Sequence, residues 1–132
     1  MKCCICGKEI KGSGHNPSPF IGAKCCDKCN GELVVPLRLV LNDRKTAIVI
    51  APDKLSVLQP KGRYFTLEEL QKIVDGYIEI APEVIPGFIT LVNEEGLLKG
   101  MPFNATFNIL FGESYVGTVA LIPKEIFEAP ED

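Results

Sequence analysis

Two short stretches, Cys3-Cys4-Ile5-Cys6 and Cys26-Asp27-Lys28-Cys29, decide the fold at the start of this 132-residue chain. Nineteen residues separate the two Cys-x-x-Cys pairs, which is the spacing of a structural zinc site with four thiolate ligands. All six cysteines lie in the first 29 residues, and the first residues contain no hydrophobic signal region. We therefore expect a cytoplasmic protein, in which clustered cysteines bind metal rather than form disulfides. One structural Zn²⁺ per chain is predicted, with the ligands Cys3, Cys6, Cys26 and Cys29.

The segment between the two pairs is rich in Gly and Pro and cannot form a core by itself, so the zinc ion is predicted to be its core. Cys4 and Cys25 remain outside the ligand set. We interpret them as bystander thiols, and the alternative is redox sensing or a second metal. His15, the single histidine, is predicted to be a solvated loop residue because the four thiolates already complete a tetrahedral set.

The stretch from Leu33 to Leu41 is apolar with one charge, and it follows the second cysteine pair directly. We predict a helix with a kink around Pro36, and a strand is the alternative. Cysteine pair, loop or hairpin, cysteine pair and helix in that order are typical of a treble-clef zinc module, or failing that of a zinc ribbon. Catalysis at this zinc is not expected, because four cysteines leave no coordination position for water.

Charge divides the chain into two unequal parts. Residues 1–45 carry eight Lys/Arg and four Asp/Glu, a formal +4, whereas residues 46–132 carry six and thirteen, a formal −7, which together give the net charge of −3. This acidic total argues against a general nucleic-acid-binding protein. No apolar run approaches the roughly 20 residues of a membrane span, so no membrane partner is expected.

The remainder of the chain alternates between strand and helix patterns, bounded by Pro and Gly. We predict strands over residues 46–51, 55–58, 77–80, 88–92 and 115–122, and helices from Thr66 to Gly76 and over 104–111. The first two strands are predicted to form one hairpin and the next two strands a second. The order ββαββαβ predicts an α+β fold with a mostly antiparallel sheet in which the last strand is central. We place a zinc module with its following helix at residues 1–45, an α+β domain at 46–123 and an acidic tail at 124–132.

Each predicted helix has a signature. Thr66 and Glu69 form a capping box at the start of the first. Its apolar face is predicted to contain Leu67, Leu70, Ile73 and Val74. Phe103, Phe107 and Phe111 recur every four residues, so the second helix is predicted to turn this aromatic stripe toward the sheet.

Four short motifs make residues 46–123 resemble a known family, the domain of unknown function 3846. The motifs are Asp75-Gly76-Tyr77-Ile78-Glu79, Asn93-Glu94-Glu95-Gly96, Gly100-Met101-Pro102-Phe103-Asn104 and Leu121-Ile122-Pro123. Asp75 and Met101 depart from the family pattern, which has Gly-Gly before the Tyr and Leu-Pro before the Asn. The two cysteine pairs also resemble small zinc modules of phages and Gram-positive bacteria. The resemblance implies a bacteriophage, plasmid or other mobile-element setting, and it supplies no catalytic residue.

Polar residues near the turns are the remaining candidates for a binding site. Glu94 and Glu95 flank a turn and can hold a cation or sugar hydroxyls with amide partners, although a solvated turn is the plainer interpretation. Glu79 beside Tyr77 is either a buried acid or, by strand alternation, an exposed one. The candidate ligand or partner residues are Tyr77, Glu79, Asn93, Glu94, Glu95 and Asn104. We expect no enzyme, because the sequence contains no acid–base pair, nucleophile motif or Gly-rich phosphate loop.

We therefore expect a non-enzymatic accessory protein of a phage or mobile element that binds a host component. It would counteract host defence by blocking a protein or by sequestering a nucleotide-type signal, and the acidic surface favours the protein. A pocket for such a signal needs Lys61, Arg63 or Lys99 gathered from different loops. The alternative is a zinc-dependent nucleic-acid-binding regulator, ranked lower because zinc bound by four thiolates adds about −2 and halves the positive charge of the first segment. A homo-oligomeric assembly protein is a third possibility, which the sequence does not rank against the first. In that regulator, the residues predicted to contact phosphates are Lys2, Lys8, Lys11, Lys24, Lys28 and Arg38.

Overall fold

The computed structural model describes residues 1–127 and contains one five-stranded antiparallel sheet. The strands are β1 (Ala47–Ala51), β2 (Lys54–Leu58), β3 (Ile78–Ala81), β4 (Phe88–Asn93) and β5 (Val119–Pro123). Their order across the sheet is β2-β1-β5-β4-β3, and all four neighbouring pairs are antiparallel. The predicted α+β class, both hairpins and the central position of the last strand are confirmed.

Helices precede, interrupt and follow the strands. They are α1 (Asp27–Cys29), a π-helical segment (Asn30–Val34), α2 (Val35–Asp43), α3 (Leu67–Val74), α4 (Ala105–Phe111) and α5 (Lys124–Phe127). The predicted tail at 124–132 therefore begins as helix α5, and residues 128–132 lie outside the described part of the chain.

The helix after the second cysteine pair is confirmed, and its irregularity has a local cause. The π-helical segment ends at Val34, where the Val35 amide donates to the Asn30 carbonyl five residues earlier. Pro36 follows in the first turn of α2, where a residue without an N–H is tolerated. The predicted kink is thus a wider helical turn just before the proline.

The capping box of α3 is confirmed. Thr66 Oγ1 accepts from the Glu69 amide at 3.2 Å, and Glu69 Oε1 accepts from the Thr66 amide at 3.1 Å. The helix ends at Asp75, in the left-handed region at φ 59°, one residue before the predicted stop. Leu67, predicted to lie on the apolar face, is 58% exposed, because at the first helical position it points away from the sheet that buries Leu70.

Each face of the sheet has its own apolar cover. Strand β5 alternates between them, with Val119 and Leu121 in one core cluster and Ala120 and Ile122 in the other. The cysteine-rich segment, α2 and α4 cover the first face, while α3 and α5 cover the second. All five residues of β5 are buried as a result.

The cysteine-rich segment shares its core with the sheet. Cys25 and Val34 are completely buried in the same cluster as Ile48 of β1. The rings of Phe20 and Phe111 meet edge to face at 5.5 Å. The two segments that the sequence divides at residue 45 are therefore packed against each other.

Two strand predictions need correction. The last strand begins at Val119 rather than Tyr115, because Gly117 at φ 74° breaks the extended backbone. Strand alternation that exposes Tyr77 and Glu79 predicts a buried Ile80, but Ile80 is 63% exposed. Strand β3 is the sheet edge, and the apolar cluster beneath α3 includes Ile78 but not Ile80.

The aromatic stripe is confirmed for two of its three members. Phe107 and Phe111 are buried on α4, with ring centroids 4.9 Å apart. Phe103 is 50% exposed, because it lies before the helix N-cap and pairs with Val116 in an isolated β-bridge.

Buried Asn104 joins three parts of the fold, which yields a first prediction. Its Nδ2 donates to the Ile50 and Gly117 carbonyls, both at 2.8 Å, and its Oδ1 accepts from the Phe107 amide at 2.8 Å. Asn104→Ala leaves two buried carbonyls without a hydrogen-bond donor and removes the N-cap of α4. We therefore expect a loss of about 3 kcal/mol in the free energy of unfolding. Asn108→Ala, which removes one 3.4 Å contact to Glu113, is the control and should cost about 0.5 kcal/mol in urea titrations.

Buried Thr90 on β4 yields a second prediction. It is completely buried, and its hydroxyl has no hydrogen-bond partner within residues 1–127. Thr90→Val should raise the free energy of unfolding by about 1 kcal/mol, because a desolvated, unpaired hydroxyl is removed.

Thr46 is the matched control, since its buried hydroxyl donates to Asp43 Oδ2 at 3.1 Å and accepts from Gln59 Nε2 at 3.3 Å. Thr46→Val should lower the free energy of unfolding by about 1 kcal/mol. The same sign for both variants would contradict the assignment.

Candidate functional site

Four cysteine sulfurs converge at the N-terminal end of the long helical run. Cys3 and Cys6 lie in a tight turn in which the Gly7 amide donates to the Cys3 carbonyl and Gly7 adopts φ 78°. Cys26 is the N-cap of α1 and Cys29 its last residue, so one helical turn brings this pair together. The four Sγ atoms all lie within 4.8 Å of one another.

The geometry of this group fits a tetrahedral metal ion. Zn–S bonds of about 2.3 Å place the sulfurs of a tetrahedron about 3.8 Å apart, and Cys6 Sγ lies 3.8 Å from Cys26 Sγ. Backbone amides point at the sulfurs: Ile5 and Cys6 donate to Cys3 Sγ at 3.4 and 3.5 Å, and Cys29 donates to Cys26 Sγ at 3.5 Å. Such amides stabilise thiolates, which are the form that binds metal.

The electrostatics of the cluster also favour a cation. Burial raises the pKa of Cys3, but backbone amides of Cys6, Cys26 and Ile5 outweigh it and lower that pKa to about 6. Burial and the neighbouring thiols raise the pKa of Cys29. Four sulfurs this close repel one another as thiolates, and a bound divalent ion removes that penalty. Because the four sulfurs fill a tetrahedron, the centre has the closed ligand set of a structural site.

The remaining cysteines and the histidine lie beside the cluster rather than in it. Cys25 is completely buried in the apolar core, and burial raises its pKa. Cys4 packs so closely on Gly22 that a Cβ there would lie 2.6 Å from its sulfur. His15 Nε2 lies 2.6 Å from Asp27 Oδ1, so the imidazole is paired with a carboxylate.

Metal binding through these four residues gives a third prediction. Native mass spectrometry of protein purified without chelators should find one metal ion per chain. Cys26→Ser should lose the ion, because three thiolates and a hydroxyl hold it far more weakly, and falling pH should release it as protons compete for the sulfurs. Cys4→Ser is the control and should retain it. Two ions per chain, or an ion retained by Cys26→Ser, would contradict this ligand set.

Asn93 and Asn104, the two predicted amide ligands, form their side-chain hydrogen bonds within the fold. Both donors of Asn104 are used by backbone carbonyls, as described above. Asn93 Nδ2 donates to the carbonyls of Val74 and Asp75 at 2.9 and 3.0 Å, and its Oδ1 accepts from the Glu95 amide at 2.7 Å. These side chains fix the end of α3 and the turn after β4, so their polar atoms are engaged within the protein.

Two of the other predicted residues come together around a cleft of about 520 Å³ where β4 ends. Glu79 and Glu94 line it beside Asn93, whereas Glu95 lies outside its wall. Tyr77 directly precedes β3 and is 62% exposed, and its carbonyl accepts from the Glu94 amide at 2.9 Å.

Sequence reasoning missed the apolar wall of this cleft, which is formed by Leu97, Leu98 and Tyr115. Burial raises the pKa of Tyr115, and the nearby charges of Glu113 and Glu79 add to that rise. The signal in the sequence was the pair of leucines between Gly96 and Lys99, inside a turn that has no core of its own to bury them.

A family comparison identifies the larger part of the chain. Residues 45–125 match the family described as Domain of unknown function (DUF3846). The chain belongs to this family. The DUF3846 match covers the sheet and helices α3 and α4, and it begins after the cysteine-rich segment. Neither the curated proteins nor the solved structures give a match. Among residues 1–127, no helix combines the length and the apolar character needed to cross a bilayer.

Proposed function

We propose that this DUF3846 protein is a non-enzymatic accessory protein of a phage or other mobile element that binds a host protein and thereby counteracts host defence. Its N-terminal metal is zinc, held in a treble-clef arrangement that fixes the cover of one sheet face. The mobile-element setting rests on what the family resemblance of residues 46–123 implies, and the set of four clustered cysteines supports a structural role for the metal. The observation that carries the proposal is a pair of exposed leucines on a turn beside the acidic cleft.

Leu97 and Leu98 are 83% and 87% exposed. Their turn is internally hydrogen-bonded, since the Lys99 amide donates to Glu95 at 2.9 Å and the Met101 amide donates to Gly96 at 3.0 Å. Burial of a leucine side chain contributes roughly 1.5–3 kcal/mol. Adjacent exposed leucines on a hydrogen-bonded turn therefore offer a partner several kcal/mol of apolar contact at little cost in loop ordering.

Charge around the leucines defines the chemistry of the partner. Glu79 and Glu94 line the adjoining cleft. Glu95 follows Glu94 in the sequence, and Glu113 precedes Ser114, another residue of the cleft wall. A complementary surface has an apolar depression for the two leucines and Lys or Arg at its rim. This acidic character favours a protein over a nucleic acid, whose phosphates would be repelled.

Arg38, one of the cations assigned to phosphate contacts in the nucleic-acid-binding alternative, is engaged within the protein. Arg38 Nε donates to the Ser18 carbonyl at 2.7 Å, and its Nη2 donates to the Asn16 carbonyl at 2.8 Å. This guanidinium holds the loop between the cysteine pairs, so little of it remains for phosphate contacts. We therefore favour a protein partner for this molecule.

Affinity capture tests the proposal and forms a fourth prediction. Tagged full-length protein should enrich a discrete host protein from bacterial lysate in quantitative mass spectrometry. Leu97→Ser/Leu98→Ser should weaken binding to the purified partner about a hundredfold or more, because two leucines lose their burial. Glu94→Gln should weaken it less, and mainly at low salt.

Leu39→Ser is the matched control, since Leu39 is 68% exposed on α2 but lies outside the cleft. It should leave capture unchanged. Equal binding by the double variant and the control would refute the leucine surface, and metal analysis that finds an ion other than zinc would refute the zinc assignment.

A further inference from the structure

A second cleft, of about 550 Å³, lies at the other end of the strands. Its walls are the end of α2, the loop of residues 59–64 after β2, and helix α5. The antiparallel register brings these parts together, because Ala47 pairs with Leu58 and Ile48 pairs with Leu121. The start of β1 and the ends of β2 and β5 therefore lie at the same end of the sheet's strands.

The acidic groups in this cleft are already committed to the fold. Glu125 accepts two hydrogen bonds from Arg44, at 2.8 and 2.7 Å, and the same guanidinium donates to the Gly87 carbonyl at 2.9 Å. Asp43 accepts from the Lys45 amide at 2.8 Å and from the Thr46 hydroxyl at 3.1 Å. Arg44 and Glu125 neutralise each other, whereas Asp43 keeps its charge, so the charged residues of the cleft, with Lys45 and Arg63, sum to a formal +1.

Two cations in the wall remain available. Within residues 1–127, neither the Lys45 ammonium nor the Arg63 guanidinium forms an ion pair, and both side chains are exposed. Arg63 lies over the Tyr64 ring at 5.6 Å, which holds a planar donor group beside an aromatic surface. An ammonium and a guanidinium around one cleft are the side chains that bind phosphate oxygens.

The loop adds backbone donors. The amides of Gly62, Arg63 and Tyr64 donate to no other residue of the described chain, whereas the Lys61 amide donates to Glu69 Oε2 at 3.2 Å. Nothing lies within 4 Å of the position that a Cβ on Gly62 would occupy, so a ligand can approach the backbone there. Free loop amides beside cations are a common anion-binding arrangement.

We propose that this cleft binds the phosphate groups of a small molecule of nucleotide size. Its volume lies in the range of small-ligand sites. Two free cations suit one or two phosphates rather than a nucleic-acid backbone, and a formal −7 on residues 46–132 disfavours a long polyanion. The site is separate from the leucine surface and does not depend on it.

Calorimetric titration of the full-length, metal-loaded protein tests the proposal. The probes are adenosine triphosphate, inorganic triphosphate and adenosine. We expect the first two to bind and adenosine to bind at least tenfold more weakly, and we expect affinity to fall as salt rises. Lys45→Gln and Arg63→Gln should each weaken triphosphate binding about tenfold, because each removes a charged hydrogen-bond donor.

Lys54→Gln, an equal change of charge on exposed β2 and outside the cleft, should leave the affinity unchanged. Amide chemical shifts of Gly62, Arg63 and Tyr64 should move on titration. Tighter binding of adenosine triphosphate than of inorganic triphosphate would identify a nucleotide, and equal binding would identify recognition of phosphate alone. No binding of either below 1 mM, or equal losses in all three variants, would overturn the proposal.

Discussion

Burial of β5 on both faces is the constraint on which the rest of the structure depends. Every residue from Val119 to Pro123 is buried, so an apolar cover is required above and below the middle of the sheet. Helices α3 and α5 supply one cover. On the other face α4 is short, and residues of the cysteine-rich segment complete the layer with Phe20, Cys25 and Val34. The cysteine-rich segment is therefore part of the core of the fold, because it contributes to the apolar cover of this sheet face.

The helical run that begins at the cysteine cluster ends beside the sheet, where β1 starts. One helical run extends from Cys26, the N-cap of α1, to Arg44, which ends α2 in the left-handed region at φ 59°. Arg44 then bonds to Glu125 and Gly87 and lies over the Phe88 ring at 4.9 Å. Its bonds raise its own pKa and lower that of Glu125, so the pair stays charged at neutral pH. The run is thus fixed at one end by thiolates and at the other by an ion pair on the sheet.

Sequence patterns predicted the elements whose signals are local. Each Cys-x-x-Cys pair, the Thr66–Glu69 capping box and the two hairpins depend on residues that are close in the sequence, and the structure contains all of them. The spatial arrangement of distant residues was beyond such patterns. From the sequence, Asn104 is a polar loop residue. In the structure its side-chain amide donates to the carbonyl of Ile50, 54 residues away. Phe103 and Ile80 follow an apolar periodicity, but a bridge before α4 and the uncovered sheet edge leave them exposed.

The sequence did not predict the two clefts as sites, because each is lined by residues that are distant in the sequence. The sheet places the two clefts at opposite ends of its strands. The chain brings Lys45 and Arg63 to one end of the strands, while Glu79 and Glu94 meet at the other. A five-residue strand spans about 17 Å, roughly twice the Debye length of about 8 Å at physiological ionic strength. Exposed charges at the two ends are therefore largely screened from each other by salt. This separation along the strands is consistent with two independent proposed sites, one for an anion and one for a protein partner.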